Sequence, residues 1–186
     1  MIDKHRIIDR INNLNEEFLD HLNEIVDRYE EQHNKFMEET SGENNFQVIL
    51  RAHLYIEFEM KELLHIKLKH PQELGEQVKF SDTLRISLAI GAIPLELKNA
   101  ISYVNRIRNK FAHDLNYQFN EATHKKFIDN FSNDMKNDYL RRLEKNIDNG
   151  FLTTKLKEAL FTVWFVLIDL RLVSDEIRVE LKNLYK

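Results

Sequence analysis

Apolar residues recur along this chain at helical steps from one end to the other. Ile7, Ile11, Leu14, Phe18, Leu22, Ile25, Tyr29 and Phe36 follow one another mostly every fourth or third position, a near-heptad stripe that predicts one long helix from Asp3 to Glu39. A narrow seam of that length suits a hairpin arm or packing along a partner subunit. The stretch T-S-G-E-N-N interrupts it, with Gly42 as the stop. From Asn44 to Lys69 the apolar positions instead surround much of the cylinder (Phe46, Ile49, Leu50, Leu54, Ile56, Phe58, Met60, Leu63, Leu64, Ile66, Leu68), which predicts a helix at the centre of the core.

Punctuation sets the next elements. Pro71 ends the second helix, Ser81 is a candidate N-cap for a short third one, and Gly91 is a candidate C′ residue. Pro94 suits the first turn of a fourth helix running to about His113. L-N-Y-Q-F-N reads as loop, and helices follow near Glu121–Met135 and Asp138–Ile147. Asn149-Gly150 reads as a turn, and a last helix runs from about Thr154 to Leu184. Nothing reads as a strand. The expected architecture is an all-α helical bundle with long N- and C-terminal helices. Residues 1–186 make one domain, with 1–41 as the arm and 44–186 as the core.

Composition agrees, with only four glycines and two prolines in 186 residues. The absence of cysteine excludes disulfides, thiolate metal sites and a thiol nucleophile. The first ten residues are charged from the third onward, so no secretory leader is expected. The most apolar run, Ala159 to Val173, is broken by Asp169 and Arg171, so it reads as a buried helix rather than a membrane span. A cytoplasmic protein without membrane attachment is the expectation. Charge is uneven: residues 1–43 hold twelve acids against five bases, and residues 98–145 hold ten bases against six acids. That balance argues against a uniformly basic DNA-coating face and allows one basic patch beside an acidic arm.

Candidate chemistry concentrates in R-I-R-N-K-F-A-H-D-L, Arg106 to Leu115. On a helical wheel, Ala100, Val104, Ile107, Phe111 and Leu115 form an apolar face. Asn105, Asn109 and His113 form another, one turn apart, with Arg106 beside them. Arg108 lies on the flank between the two. A guanidinium there needs an anion, and two are on offer: a carboxylate such as Glu57 or Glu59, or a phosphate. In the first case His113 simply favours the helix C-terminus. In the second, Arg108 holds a phosphodiester, His113 shuttles protons and Asn109 supports them. Arg108 and His113 point about 140° apart in a regular helix, so one phosphate reaches both only at a helix end or across a dimer.

R-N-K-F-A-H resembles the R-N-x-x-x-H form of the R-x-x-x-x-H signature of the HEPN superfamily, small all-α domains of prokaryotic toxins and RNA-processing factors. The longer segment from Lys79 to His113, with its L-A-I-G-A-I and I-R-N-K-F-A-H, is similar to the mannitol operon repressor branch. The resemblance spans roughly Asn44 to Leu115. It implies a homodimer whose motif helices face each other across a cleft. It also implies a metal-independent endoribonuclease in which the 2′-hydroxyl attacks its own phosphate, with His113 and Arg108 in the catalytic roles and Asn109 as polar support. RNA is then the partner and no cofactor is needed. The same resemblance implies the alternative of a non-catalytic module for transcription regulation or binding of a regulatory protein. Leu115 stands where some toxin members carry a modifiable tyrosine, so control of that kind is not expected.

Other chemistries find little footing. Eight histidines include no H-E-x-x-H and no pair four apart, so no metal site is expected, and His53 reads as a core histidine bonded to a neighbour. No nucleophile elbow, P-loop or dinucleotide fingerprint is present.

Overall fold

The computed structural model describes residues 16–75, 77–145, 148 and 150–173. It is all-α. Among the described residues there are seven α-helices and no strand: α1 Glu16–Glu39, α2 Asn45–Lys67, α3 Phe80–Ala89, α4 Lys98–His113, α5 Glu121–Asp129, α6 Asn133–Lys145 and α7 Leu152–Leu172. Short 3₁₀ turns at Pro71–Leu74 and Leu95–Leu97 precede α3 and α4. The parts of the expected first and last helices at Asp3–Asn15 and beyond Val173 lie outside the described residues.

Helix ends follow local chemistry. Asn44 caps α2 with a full capping box: its Oδ1 accepts from the Gln47 amide at 3.0 Å, and the Gln47 side chain accepts from the Asn44 amide at 3.0 Å. α3 closes in a Schellman turn, with Gly91 at φ 73°, Ala92 N–H bonded to the Ser87 carbonyl at 2.9 Å and Gly91 N–H to Leu88 at 3.2 Å. Two punctuation readings shift. Lys79, not Ser81, stands at the N-cap of α3, without a side-chain cap bond. Pro94 precedes the 3₁₀ turn that leads into α4.

The break between α5 and α6 falls earlier than the sequence pattern suggests. Asn130 Nδ2 donates back to the Lys126 carbonyl at 2.6 Å, and Phe131 turns into the core edge-on to Phe127, with centroids 5.1 Å apart. Ser132 Oγ then accepts from the Met135 amide at 3.3 Å and starts α6.

α7, rather than α2, is the central helix. It buries residues all round its circumference, Leu156, Leu160, Phe161, Val163, Trp164 and Leu167 among them, and touches α1, α2, α4, α5 and α6. α2 packs on α3, α4 and α7 through Val48, Ile49, Ala52, Ile56, Met60 and Leu63, but leaves Leu54, Phe58 and Ile66 more than half exposed. Its other side simply has no covering element among the described residues. Among them, too, no helix is long and apolar enough to cross a membrane.

Buried charge ties the outer helices to α7. Arg142 on α6 is 7 % exposed and pairs with Glu158 on α7, 1 % exposed, at 3.0 Å. The same guanidinium reaches Tyr29 on α1 at 2.7 Å, Asp138 at 2.5 Å, and Thr162 on α7. His33 on α1 adds a contact to Glu158 at 3.2 Å. One cation thus joins three helices, and its bonds offset the desolvation of placing it there.

Candidate nucleic-acid groove on α4

α4 is amphipathic, and its apolar side explains its orientation. Ala100, Ile101, Tyr103, Val104 and Ile107 are buried against α2, α3, α5 and α7. Phe111 is half-buried, against Phe46 at 5.6 Å and edge-on to Tyr117 at 4.7 Å. Leu115, expected on this face, is fully exposed: the helix stops at His113, Asp114 turns extended (φ −133°, ψ 102°), and the next residues leave the helical register.

The opposite side forms an open groove of about 530 Å³. Its lining includes Asn105, Asn109 and His113, one helical turn apart, with Ser102 at one end and Asp114 at the other. Arg106 and Lys110 flank it. The Arg106 guanidinium sits over the Tyr103 ring at 5.5 Å and the Lys110 ammonium over Tyr117 at 5.3 Å, which props both cations beside the groove. A second groove, about 460 Å³, continues from the shared residues Ser102 and Asn105 between α3 and α4, past Arg85, Leu88, Leu95 and Lys98.

Of the sequence-predicted site residues, Asn109 and His113 meet in the groove. Arg108 does not line it. It donates from Nη1 to Oδ1 of Asn109 at 3.1 Å. The two carboxylates considered for it are taken elsewhere: Glu59 binds Arg171 at 2.6 Å and Glu57 binds Lys61 at 2.9 Å. Among the described residues Arg108 makes no ion pair with a carboxylate, so its charge is neutralised by none of them.

His53 on α2 is the buried histidine the pattern anticipated, and its partner is Asn105, with Nε2 to Oδ1 at 3.0 Å. The ring stacks on Phe80 with centroids 4.2 Å apart. Burial pushes the imidazole pKa down; the Asn105 bond opposes this and the nearby Arg108 charge reinforces it. The sequence reading placed Asn105 on the groove face but did not connect it to His53. The pairing spans two helices distant in the chain, and periodicity carries no such information.

A larger cleft, about 990 Å³, lies between α1, α6 and α7 around Tyr29, His33, Arg142 and Glu158. Tyr29, His33, Asp138, Arg142 and Glu158 satisfy one another there, as described above. Glu158, ahead of the apolar run that follows it, was the one visible signal of this buried pair. Among the described residues no group of three or more His, Asp or Glu side chains is placed to hold a metal ion.

Compared with protein-family models, with curated proteins and with solved structures, the chain gives no match.

Proposed function

We propose that the chain is a HEPN-like RNA-binding protein that works as a homodimer and cleaves RNA without metal. His113 moves the proton, Arg108 holds phosphate charge and Asn109 links the two. The observation that carries this reading is the open α4 groove, where Asn109 and His113 lie together beside the cations Arg106 and Lys110. Support also comes from Arg108, which is bound to Asn109 and to no carboxylate among the described residues. A histidine exposed at the end of a helix is accessible to a 2′-hydroxyl. In the dimer a second motif helix would face the first, bringing the partner copy's arginine toward this histidine and resolving the divergence of the two side chains on one helix.

Purified protein incubated with single-stranded RNA in EDTA should cut it, and His113→Ala should abolish the cut; undiminished activity in that variant removes His113 from the mechanism. Light scattering at micromolar concentration should give the mass of a dimer, and a monomer defeats the shared cleft.

A second reading, a non-catalytic regulatory or protein-interaction module, is favoured by a separate observation: Leu54, Phe58 and Ile66 stand exposed along α2. Protein that leaves RNA intact, and whose self-association or partner binding is lost in Phe58→Asp, would favour it.

A further inference from the structure

Asn105 and Asn109 both line the groove, and the Oδ1 of each is engaged by a side chain of the fold. An arginine has only hydrogen-bond donors, so its bond from Nη1 fixes Oδ1 of Asn109 as the acceptor. The Asn109 Nδ2 hydrogens are thereby turned away from Arg108. At Asn105 the partner is His53, whose Nε2 lies 3.0 Å from Oδ1. An imidazole nitrogen donates or accepts according to its tautomer; with Oδ1 facing it, this bond calls for the Nε2–H form. The Asn105 Nδ2 hydrogens are then turned away from His53. Among the described residues neither amide nitrogen has a partner. With Arg106 and Lys110 beside them, and the Asp114 carboxylate at the far end bonded to the Asn116 amide at 3.0 Å, the middle of the groove offers donors and cations.

We propose that Asn105 and Asn109 form a paired amide clamp for the anionic oxygens of a nucleic-acid backbone phosphate, with His53 as the buried positioning residue that holds the Asn105 amide donor-outward. This rests on the RNA reading above and adds two residues, His53 and Asn105, that lie outside the R-N-K-F-A-H segment. The clamp has a physical logic. An asparagine free to flip offers an acceptor as readily as a donor, and an acceptor repels phosphate oxygen. Fixing the amide removes that alternative before ligand arrives. His53 suits the task because its ring is stacked on Phe80 and buried, so the core sets the ring's place and angle.

Binding of a single-stranded oligoribonucleotide is best read in the His113→Ala background, where cleavage does not intrude. Asn105→Ala there should weaken binding about tenfold, the scale of one hydrogen bond to a charged group. Asn105→Asp, which replaces donors by a second anion, should weaken it further; tighter binding by that variant overturns the clamp. His53→Phe keeps the stacked ring and removes the donor. It should weaken binding about threefold or more when Asn105 is present and have no effect once Asn105 is alanine. Equal losses in both backgrounds would mean that His53 only supports the fold, and the positioning role falls.

Independently of any ligand, ¹⁵N-resolved spectra of the wild-type protein should show His53 protonated on Nε2. Protonation on Nδ1 instead would put the amide the other way round and overturn the proposal. If no RNA binds, the RNA reading fails, and inorganic phosphate decides the clamp alone. Shifts of both side-chain amides, Asn105 and Asn109, on phosphate addition uphold it, and unmoved amides end it.

Discussion

Arg108 and Asn109 are neighbours in sequence and partners in space: Nη1 of the arginine donates to Oδ1 of the asparagine at 3.1 Å, on the flank of α4. The bond makes one unit of a residue outside the groove lining and a residue that lines it.

That unit separates a binding arginine from a structural one. Arg108→Ala should lower RNA binding and cleavage by about tenfold or more, since it removes the charge and frees the Asn109 amide. Its melting temperature should stay close to wild type, because no carboxylate among the described residues is left unpaired. Arg108→Lys should rescue only part of the loss, lacking the planar fork. Cleavage assays beside thermal melts test this; a large drop in melting temperature with unchanged cleavage reverses the assignment.

Arg142 should behave in the opposite way. Arg142→Met leaves Glu158, 1 % exposed, without its guanidinium and strips donors from Tyr29 and Thr162. A broken buried pair costs about 3–5 kcal/mol, which for a chain of this length is about 10 °C in melting temperature. Adding Glu158→Gln should restore part of it, because the uncompensated charge goes. Calorimetry of the two variants measures both steps.

Two buried histidines set a pH dependence of stability. Burial pushes the pKa values of His53 and His124 below the ordinary 6.5, and His124 is bonded to the Tyr139 hydroxyl at 3.0 Å. A depressed pKa means that the unfolded chain takes up protons first as pH falls. Their contribution is therefore fully present above about pH 6.5 and is lost progressively below it, down through the folded-state values. The urea midpoint should decline from pH 7 toward 5, and His124→Phe should flatten part of that slope. A midpoint that rises as the solution is acidified through this window contradicts the assignment.

The cap of α2 is the simplest to test. Asn44→Ala removes one arm of the capping box and leaves the Gln47 amide without its acceptor. A loss of about 1 kcal/mol is expected, with a melting temperature lower by about 2–4 °C. Denaturant unfolding should show the shift without a change in slope.

Much of the bundle was readable before any coordinates. The all-α class, the start of α2 near Asn44, the stop at Gly91, the end of α4 at His113 and the shared face of Asn105, Asn109 and His113 all depend on contacts within a few residues of each other. Local chemistry writes such features directly into the sequence. α2 misled because its apolar residues circle the helix, yet Leu54, Phe58 and Ile66 stay exposed. Burial depends on which neighbours arrive, and hydrophobicity alone does not say how many do. Leu115 misled for a related reason: a wheel continues past the point where the helix stops.

The sequence by itself determined the all-α class, most of the helices and the shared α4 face of Asn105, Asn109 and His113. Only the tertiary structure decided that α7 is the central helix, that Arg142 binds Glu158, that Glu59 goes to Arg171 rather than Arg108, and that His53 reaches Asn105. The partners in those three pairings are 16, 112 and 52 residues apart in the chain. A polar side chain's choice of partner at such separations is settled by helix packing, and packing is a property of the whole core rather than of any segment within it.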